Sequence, residues 1–413
     1  APTAHRITAY PNRVELLRAE DLPRRGLTAW LNERLHAGTG MSVVLLSYDA
    51  GRNLEELPAT AEESPVLPDV IVAHYGAWLE SDSDQGPWSF VETQRGAGMA
   101  LLTAIARGVD ALPELPPFTL ESRTSIEDHV AAIEDLKGGI ARGDLYQANL
   151  SRRLEAPFEP SFTAALYARL RRATPPALGA LWRLGETSWL ASVSPECLLH
   201  YDPKTRRAAS YPIKGTRPRG DLDSDAELAR ELTDDEKERA EHLMIVDLVR
   251  NDLGRVAAPG TVAVEDLFGL QSLPTVHHLV SEVSCTVRDG VTLSDILMAL
   301  FPGGSITGAP KIAAQEAIER LEGLRRGFYT GSFGLVDHRS GEATFNILIR
   351  TCVAAADKLF YQTGGGIVAD SDPHREWEET EHKAAALVAA ARAAEARGTG
   401  AKRHEQTDRP EEP

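Results

Sequence analysis

The sequence is poor in cysteine and contains no long apolar run. Only three cysteines stand among its 413 residues, Cys197, Cys285 and Cys352, and they are spaced for neither a metal site nor a redox pair. This odd and sparse count argues against a disulfide framework, so we expect a reducing, cytoplasmic environment. No apolar run approaches the length of a membrane span. The opening residues, APTAHRITAYPNRV, contain no hydrophobic signal core.

Basic residues are also scarce relative to acidic ones. The chain has 44 lysine and arginine residues against 61 aspartate and glutamate residues, which gives a formal net charge of −17 at pH 7. Such a chain has no broad basic face, so nucleic acid and anionic membranes are not expected partners. An anionic substrate is compatible with this balance if a local cluster of arginine, lysine or a metal ion binds it.

Length and composition set the expected organisation. The length alone predicts two or three domains, and a content of 42% hydrophobic and 25% charged residues is typical of a globular protein. Proline-rich spacers lie at 55–69 and 110–118. We place a boundary after the second spacer, which separates residues 1–118 from residues 119–397. Residues 398–413 are too polar to order themselves, so we expect a disordered tail there.

Hydrophobic patterns predict a mixture of helices and strands. A helix is predicted at 125–143, where apolar residues recur at three- and four-residue spacing. Strands and helices do not alternate regularly, so we predict an α+β fold rather than a doubly wound sheet. The predicted strands include Met41–Leu46, 70–74, 207–213 and 358–362.

Lys214 lies in an unusual run, YPIKGT, at residues 211–216. Pro212 restricts Tyr211 to extended geometry, and Gly215 allows a sharp turn directly after the lysine. We therefore expect Lys214 at a turn between rigid flanks. A lysine held in this way can act as a nucleophile if desolvation or nearby charge lowers its pKa. The alternative is an ordinary solvated lysine.

Two acidic helices are also predicted. The first covers 233–252, with a capping box formed by Thr233 and Glu236. The second begins at Asp372, the cap, with proline in the first helical position. Each helix carries a pair of glutamates on one face, and such carboxylates suit a hard cation such as Mg²⁺. The alternative is a solvated helix face. The glutamates of the two pairs, together with a lysine on the same stripe, are Glu238, Glu241, Glu376, Glu379 and Lys383.

Two glycine clusters, 302–311 and 363–368, predict tight connections. Backbone N–H groups in such turns can hold a carboxylate, although neither cluster has the spacing of a phosphate-binding loop. Arg350 follows the apolar run 345–349. Its guanidinium can pair bidentately with a substrate carboxylate, or it can serve a structural ion pair.

Taken together, these motifs resemble those of the chorismate-utilising enzymes, the anthranilate, aminodeoxychorismate, isochorismate and salicylate synthases. The resemblance runs in order and spacing from about residue 125 to the last helix, and LLSYDAGRNLEELP extends it upstream. The matching motifs are GDLYQANLSRR, SVSPE, YPIKGTRPR, EHLMIVDLVRNDLGRV, HHLVSEV, FPGGSITGAPK, GFYTGSFG, FNILIRT and GGGIVADSDPHREWEETEHKA.

The resemblance implies a fold and a set of roles. It implies one large α+β body of two antiparallel β-sheets packed as a sandwich with helices outside, in which 1–118 is an N-terminal segment and 119–397 the chorismate-binding catalytic region. It implies Glu241 and Glu379 as direct Mg²⁺ ligands, with Glu238 and Glu376 acting through water. It implies Glu196 as the general acid for the C4 hydroxyl and His278 as a catalytic residue near the ring. The implied substrate-binding residues are Tyr329, Thr307, Arg350, Gly364, Gly365, Gly366 and Lys383.

Two positions discriminate among the relatives. Isochorismate and salicylate synthases carry a lysine, which activates water at ring C2, where this sequence has Gln147. An amide cannot take that proton, so we do not expect water addition. Anthranilate synthases carry alanine, in PIAGT, where this sequence has Lys214. Lysine at that position is the signature of the aminodeoxychorismate synthases.

The resemblance therefore implies amination of chorismate at C4 through a covalent adduct. Lys214 adds at C2 while Glu196 protonates the C4 hydroxyl, and ammonia then adds at C4 and expels the lysine. Mg²⁺ and Arg350 with Lys383 would lower the pKa of Lys214, whereas the glutamates would raise it, so the sequence leaves the net direction open. The alternatives are an anthranilate synthase large subunit or a non-catalytic homologue that binds chorismate or tryptophan.

The resemblance also implies a supply of ammonia. The 413 residues contain no glutamine amidotransferase module, so we expect a separate glutaminase subunit as partner. They contain no lyase module either, so another enzyme would make p-aminobenzoate, towards folate or a secondary metabolite.

Overall fold

A computed structural model describes residues 5–8, 11–83, 86–108, 111–221 and 224–392 of the chain. The predicted tail at 398–413 lies outside these ranges. None of the helices within them is long and apolar enough to cross a membrane.

Nine α-helices lie in these described ranges, and short 3-10 turns connect several of them to neighbouring strands. The helices are α1 (Gly26–His36), α2 (Gly98–Ala106), α3 (Ile126–Arg142), α4 (Thr163–Ala173), α5 (Asp225–Asp234), α6 (Glu236–Gly254), α7 (Leu293–Leu300), α8 (Lys311–Glu322) and α9 (Pro373–Arg392). The helix predicted at 125–143 is confirmed as α3, and Ser125 Oγ accepts a hydrogen bond from Asp128 N–H at 3.0 Å as its N-cap.

Twenty strands lie in the same part of the chain. They are β1 (His5–Ile7), β2 (Arg13–Leu17), β3 (Met41–Leu46), β4 (Val70–Tyr75), β5 (Ala77–Ser81), β6 (Ser89–Glu92), β7 (Glu121–Ser122), β8 (Gln147–Pro157), β9 (Leu178–Arg183), β10 (Trp189–Ser194), β11 (Cys197–Asp202), β12 (Arg207–Tyr211), β13 (Ile213–Pro218), β14 (Ala263–Ser272), β15 (Val276–Thr286), β16 (Gly308–Ala309), β17 (Ser332–Asp337), β18 (Glu342–Asn346), β19 (Thr351–Ala355) and β20 (Lys358–Ile367).

Two large antiparallel sheets contain most of these strands. The ten-stranded sheet follows the order β13-β15-β12-β11-β18-β17-β3-β4-β2, and β14 also pairs with β15. The seven-stranded sheet follows the order β16-β8-β20-β19-β10-β9, and β7 also pairs with β8. A small third sheet has the order β1-β5-β6. Because β3 pairs with β17, strands from the first part of the chain complete the sheet of the later part.

The two large sheets pack face to face through a shared apolar core. Leu45 and Ile71 of the ten-stranded sheet lie in one buried cluster with Leu190, Val353 and Phe360 of the seven-stranded sheet. Side chains alternate between the two faces of a strand, so the neighbouring residues point outward. Apolar side chains on those outward faces must therefore be buried by other elements of the structure.

Helices provide this cover on the outer faces. Helices α1, α6 and α7 pack on the ten-stranded sheet, where Leu31, Val249 and Leu297 are buried. Helices α4 and α9 pack on the seven-stranded sheet, where Leu166 and Leu387 are buried. The predicted α+β sandwich with helices outside is therefore confirmed, whereas the domain boundary at residue 118 stays a prediction.

The prediction that Lys214 lies at a turn is wrong. Strand β12 ends at Tyr211, and the chain resumes as β13 at Ile213, so Lys214 is a strand residue. The register between β13 and β15 shifts between Ile213 and Thr216, and Gly215 there has φ +87°. This is a β-bulge, a feature that redirects a neighbouring side chain.

The turn predicted at the second glycine cluster is also wrong. Strand β20 continues to Ile367, and Gly364, Gly365 and Gly366 pair with Ser151, Leu150 and Asn149 of β8. A strand that lacks three consecutive side chains leaves its surface open on both faces. The sheet backbone, rather than a loop, therefore borders the candidate site.

The predicted capping box of the first acidic helix is wrong as well. Thr233 lies in α5, and its hydroxyl donates to the carbonyl of Arg230 at 2.9 Å. Helix α6 begins at Glu236, and Asp235 Oδ1 accepts from Glu238 N–H at 3.0 Å. Aspartate is at least as good a cap as threonine, and its charge also suits the positive end of the helix.

Candidate active site

Lys214 is the common neighbour of the four predicted metal-binding glutamates. Its Nζ lies 2.7 Å from Glu241 Oε2 on α6. Burial works to lower the pKa of Lys214, but Glu241, Glu379 and Glu238 more than offset it, so the pKa is raised. Lys214 also interacts electrostatically with Glu376. The glutamates therefore determine that the pKa of Lys214 is raised, a direction that the sequence alone left open.

The two helices bring their carboxylates close to glycines of β20 and β13. A Cβ atom built on Gly365 would lie 3.1 Å from Glu376 Oε2 and 3.5 Å from Glu379 Oε1, both on α9. A Cβ built on Gly215 would lie 3.2 Å from Glu238 Oε2 on α6. Glycine at these two positions therefore leaves the room that the carboxylates occupy.

Each carboxylate already has a partner of its own. Glu379 pairs with Lys383 at 2.7 Å, and Glu238 lies 3.3 Å from the guanidinium of Arg217. Burial raises the pKa of Glu379 but Lys383 and Lys214 lower it, with a net lowering. For Glu376, burial and the neighbouring Glu379 give a raised pKa.

The donor set fits a hard cation. Within the described ranges, no three acidic, histidine or cysteine side chains converge into a ready-made metal cluster. Glu241 instead contacts the ammonium group of Lys214, which is itself a cation, and the other three glutamates interact with it electrostatically. Oxygen donors from carboxylates are the ligands that Mg²⁺ prefers, so these residues fit Mg²⁺ once Lys214 leaves them.

Gln147 lies at the same place as Lys214. A Cβ built on Gly366 would lie 2.7 Å from Gln147 Nε2 and 3.6 Å from Lys214 Nζ. Gln147 is buried, and its Oε1 has no hydrogen-bond partner among the described residues. The two residues that discriminate among the relatives in the sequence therefore face one glycine.

Glu196 is buried beside the strand that carries Lys214. It directly precedes β11, and the N–H of Ile213 donates a hydrogen bond to its carboxyl group. Burial raises the pKa of Glu196 to about 7, against the opposing effects of Ser305, Ile213 and Lys383. A carboxyl group with this pKa is half protonated at neutral pH, which suits a general acid.

Ser305 is a site residue that the sequence interpretation missed. Its hydroxyl donates to Glu196 Oε1 at 2.7 Å. Ser305 belongs to the 3-10 turn Gly304–Ile306 within the first glycine cluster. The signal in the sequence was a hydroxyl residue directly after two glycines, since glycines allow a turn to approach a neighbouring strand closely.

His278 faces the same region from β15. Its Nδ1 lies 2.9 Å from Thr216 Oγ1, and its buried Nε2 has no hydrogen-bond partner among the described residues. Burial, with a further effect of Arg350, lowers the pKa of His278 to about 4. His278 is therefore neutral at physiological pH.

Arg350 precedes β19 and adopts a left-handed conformation with φ 50°. Burial lowers its pKa, and Tyr361 partly offsets this. Its carbonyl accepts from Val193 N–H at 3.0 Å, but within the described residues its guanidinium has no ion pair or hydrogen bond. A half-buried arginine without a counterion is a natural site for an anion.

The remaining predicted substrate-binding residues lie along β20 and beside it. Lys383 Nζ donates to the carbonyl of Gly364 at 2.7 Å. Tyr329 is buried, and this burial raises the pKa of its hydroxyl to about 12. The Thr307 hydroxyl donates to the carbonyl of Gly303 at 2.9 Å and so stabilises the turn.

A separate cavity of about 40 Å³ lies beyond Tyr329. Arg153, Arg326 and Asp69 line it, but none of the four glutamates nor Lys214 does. Lys214 and the four glutamates therefore lie outside this cavity, although Tyr329 lines it. The structure brings all the predicted site residues into one region around β13 and β20, and their roles stay predictions.

Known proteins resemble this chain in sequence and in fold. A family model described as chorismate binding enzyme matches residues 4–389. Anthranilate synthase component 1 1 of Haloarcula marismortui is 42% identical over 367 residues, which cover 83% of this chain and 74% of that protein. Aminodeoxychorismate synthase component 1 of Salmonella typhimurium is 38% identical over 347 residues, which cover 83% of this chain and 74% of that protein.

A solved structure has the same architecture. The crystal structure of anthranilate synthase component I from Streptococcus pneumoniae superposes with a TM-score of 0.83 at 26% identity. The match covers 94% of this chain and 92% of that one.

Proposed function

The chain belongs to the family of chorismate-binding enzymes, and on that premise we propose that it aminates chorismate at C4 to give 4-amino-4-deoxychorismate. The observation that carries the proposal is the position of Lys214. The side chain of Lys214 projects from the β13 bulge toward Gly366. The buried acid Glu196 accepts a hydrogen bond from the backbone N–H of Ile213, the residue before Lys214. Strand β13 therefore carries the nucleophile Lys214, and the N–H of the residue before it holds the acid Glu196.

The cationic groups of the site support binding of a dicarboxylate. The Arg350 guanidinium has no counterion among the described residues, and Lys383 lies at the open glycine strand. Gly364, Gly365 and Gly366 leave space beside them. We assign one carboxylate of chorismate to Arg350, with Tyr329 nearby, and the ring to the space above the glycines, beside the neutral His278.

The first chemical step uses Lys214 and Glu196. The neutral amine of Lys214 forms a bond to ring C2, the ring double bonds shift, and the C4–O bond breaks. Glu196 gives its proton to the departing oxygen, which leaves as water. Since the ion pair with Glu241 holds Lys214 as an ammonium, the lysine first gives one proton to solvent, leaves this pair and attacks as the neutral amine.

The second step releases the lysine. Ammonia forms a bond to C4, the double bonds return, and the C2–N bond to Lys214 breaks. The ammonium group of the product then gives a proton back to Glu196. The overall reaction converts chorismate and ammonia into 4-amino-4-deoxychorismate and water. Lys214 returns to a neutral amine, and Glu196 returns to its protonated form.

Glu241 and Glu379 would hold Mg²⁺ directly, with Glu238 and Glu376 supporting it through water. Bound Mg²⁺ would supply positive charge that fixes the ring carboxylate and stabilises developing negative charge. Lys383 and Arg217 would then be freed from their pairs with Glu379 and Glu238.

Gln147 supports amination over hydration. A neutral amide beside Gly366 cannot accept a proton from water, so Gln147 supplies no base for hydroxylation at C2. The nitrogen added to chorismate would come from glutamine through a separate glutaminase subunit, as the name "component 1" of the Salmonella typhimurium relative suggests. We place the reaction in the cytoplasm, on the route to p-aminobenzoate and folate.

Amination at C2, the anthranilate type, is the second candidate. It is favoured by the 42% identity to an anthranilate synthase component. Direct attack of ammonia at C2 needs space where Lys214 now lies, so the lysine opposes it.

Product identity tests the proposal. The purified chain is incubated with chorismate, Mg²⁺ and an ammonium salt, and the products are separated by liquid chromatography. We expect 4-amino-4-deoxychorismate, and without ammonia a mass adduct that maps to Lys214. Lys214→Ala should abolish the adduct and shift residual product toward anthranilate, whereas Lys358→Ala, an exposed lysine paired with Glu155, should change neither. Anthranilate or isochorismate as the main product of the unaltered chain would contradict the proposal.

A further inference from the structure

Glu196 is held by two donors that come from different parts of the chain. The Ser305 hydroxyl donates to Oε1 at 2.7 Å, and the backbone N–H of Ile213 donates to the same carboxyl group. The carboxyl group is buried, with the residue 4% exposed. A buried carboxyl held in this way has little freedom to rotate.

The position of Ser305 depends on two glycines with no spare room. A Cβ built on Gly304 would lie 2.5 Å from Leu248 Cδ2, and one built on Gly303 would lie 3.0 Å from Ile347 Cδ1. These close contacts seat the turn against α6 and the segment before β19. The Thr307 hydroxyl, bonded to the Gly303 carbonyl at 2.9 Å, closes the same turn. The turn is therefore fixed on both sides of Ser305.

Glu196 itself is fixed by its backbone. Its N–H donates to Ser194 Oγ at 3.3 Å, and its carbonyl accepts from Ile347 N–H at 3.0 Å. Behind its side chain lies a cavity of about 10 Å³, lined also by Ser210 and Asp252, with room for about one water molecule. The carboxyl group could therefore turn into this cavity if Ser305 did not hold it.

We propose that Ser305 is a positioning residue for the general acid: its hydroxyl binds Glu196 Oε1, so that the other oxygen carries the proton toward the leaving hydroxyl of the substrate. The inference rests on the proposed function, in which Glu196 is that acid. After proton transfer the same hydroxyl donates to the carboxylate, and a charge-assisted hydrogen bond of this kind is stronger than the neutral one. Ser305 therefore also stabilises the state that follows the transfer.

Two consequences follow for a chain without this hydroxyl. Burial already raises the pKa of Glu196 to about 7, and the Ser305 hydrogen bond opposes that rise. Its removal should raise the pKa further, because the carboxylate form loses a donor while the buried environment stays. The acid should also lose its orientation, which lowers kcat more than it changes KM.

The experiment measures the titration of Glu196 directly, without reference to the product. The full chain is labelled with ¹³C at the glutamate side-chain carboxyl carbon, and the Glu196 resonance is assigned by comparison with Glu196→Gln. The signal is followed from pH 5 to pH 9 in the unaltered chain and in Ser305→Ala, Ser305→Thr and Ser210→Ala. Ser210 is the matched control, since it lines the same cavity but is not one of the two donors to Glu196.

We expect the Ser305→Ala midpoint to rise by about one pH unit or more, a tenfold change in the protonation equilibrium, with kcat at least tenfold lower and KM within threefold. Ser305→Thr should restore both, and Ser210→Ala should titrate like the unaltered chain. An unchanged midpoint in Ser305→Ala, or an equal rise in Ser210→Ala, would overturn the inference. An anthranilate product with a shifted midpoint would instead contradict the proposed reaction and leave the hydrogen bond to Glu196 established.

Discussion

The contact between His129 and Trp377 predicts a loss of stability in mild acid. His129 on α3 is 2% exposed and packs edge-to-face on Trp377 of α9, with ring centroids 5.5 Å apart. The Arg152 guanidinium lies 3.9 Å from the same indole ring. Burial, with a smaller effect of Arg152, lowers the pKa of His129 from 6.5 to about 4. The folded protein therefore holds this imidazole neutral.

The sign of the effect follows from this lowered pKa. The unfolded chain takes up the proton near pH 6.5, whereas the folded chain does so only near pH 4, so acid favours the unfolded state. The stability from the neutral form is present above pH 6.5 and is lost as pH falls toward 4. Between pH 7 and pH 5 the free energy of unfolding should fall by about 2 kcal/mol through His129 alone.

Urea denaturation at pH 7 and pH 5 measures this loss. His129→Gln removes the titrating group but keeps a polar side chain, so its loss between the two pH values should be about 2 kcal/mol smaller than that of the unaltered chain. His374→Gln, at an exposed histidine on α9, is the matched control and should behave like the unaltered chain. Equal losses in the unaltered chain and His129→Gln would refute the reasoning.

Three further predictions concern the site and one helix. Glu241→Gln and Glu379→Gln should each weaken Mg²⁺ binding by at least about tenfold, measured by calorimetry, with unchanged circular dichroism; affinities equal to the unaltered chain would contradict their assignment as ligands. Gly366→Ala should raise KM for chorismate, because the new methyl group would lie 2.7 Å from Gln147 Nε2; an unchanged KM would show that substrate does not use this space. Thr292→Ala should lower the free energy of unfolding by about 1 kcal/mol, because Thr292 and Asp295 form a capping box on α7; equal urea midpoints would refute it.

The sequence predicted the architecture better than the local backbone at the site. Helix α3 and strand β3 follow directly from periodic apolar residues, whose burial decides the structure. Lys214 was expected at a turn, because proline and glycine on either side of a residue usually mark one. The long partner strand β15 instead supplies hydrogen bonds on both sides of Pro212, and the bulge at Gly215 absorbs the irregularity. Long-range pairing of this kind leaves no local signal.

The sequence also could not predict the contacts that set the pKa values of the site residues. The glutamates at three-residue spacing were visible in the sequence, since helical geometry places them on one face. The hydrogen bond from Ser305 to Glu196 joins residues 109 positions apart, and no periodicity connects them. The raised pKa of Lys214 depends on the balance between burial and several carboxylates, a quantity that only the folded arrangement fixes.

The N–H of Ile213 and the amine of Lys214 belong to consecutive residues, and this has a consequence for motion. Successive side chains of a strand project to opposite faces, but the backbone N–H lies in the plane of the sheet. In the proposed reaction, the group that anchors the acid and the amine that attacks the ring would therefore move together as one covalent unit. Movement of the surrounding helices would then leave unchanged the distance between the group that attacks C2 and the group that protonates the C4 hydroxyl. An insertion of a single residue between 213 and 214 would reverse the direction of the lysine while leaving Glu196 in place, and so would separate the two halves of the reaction.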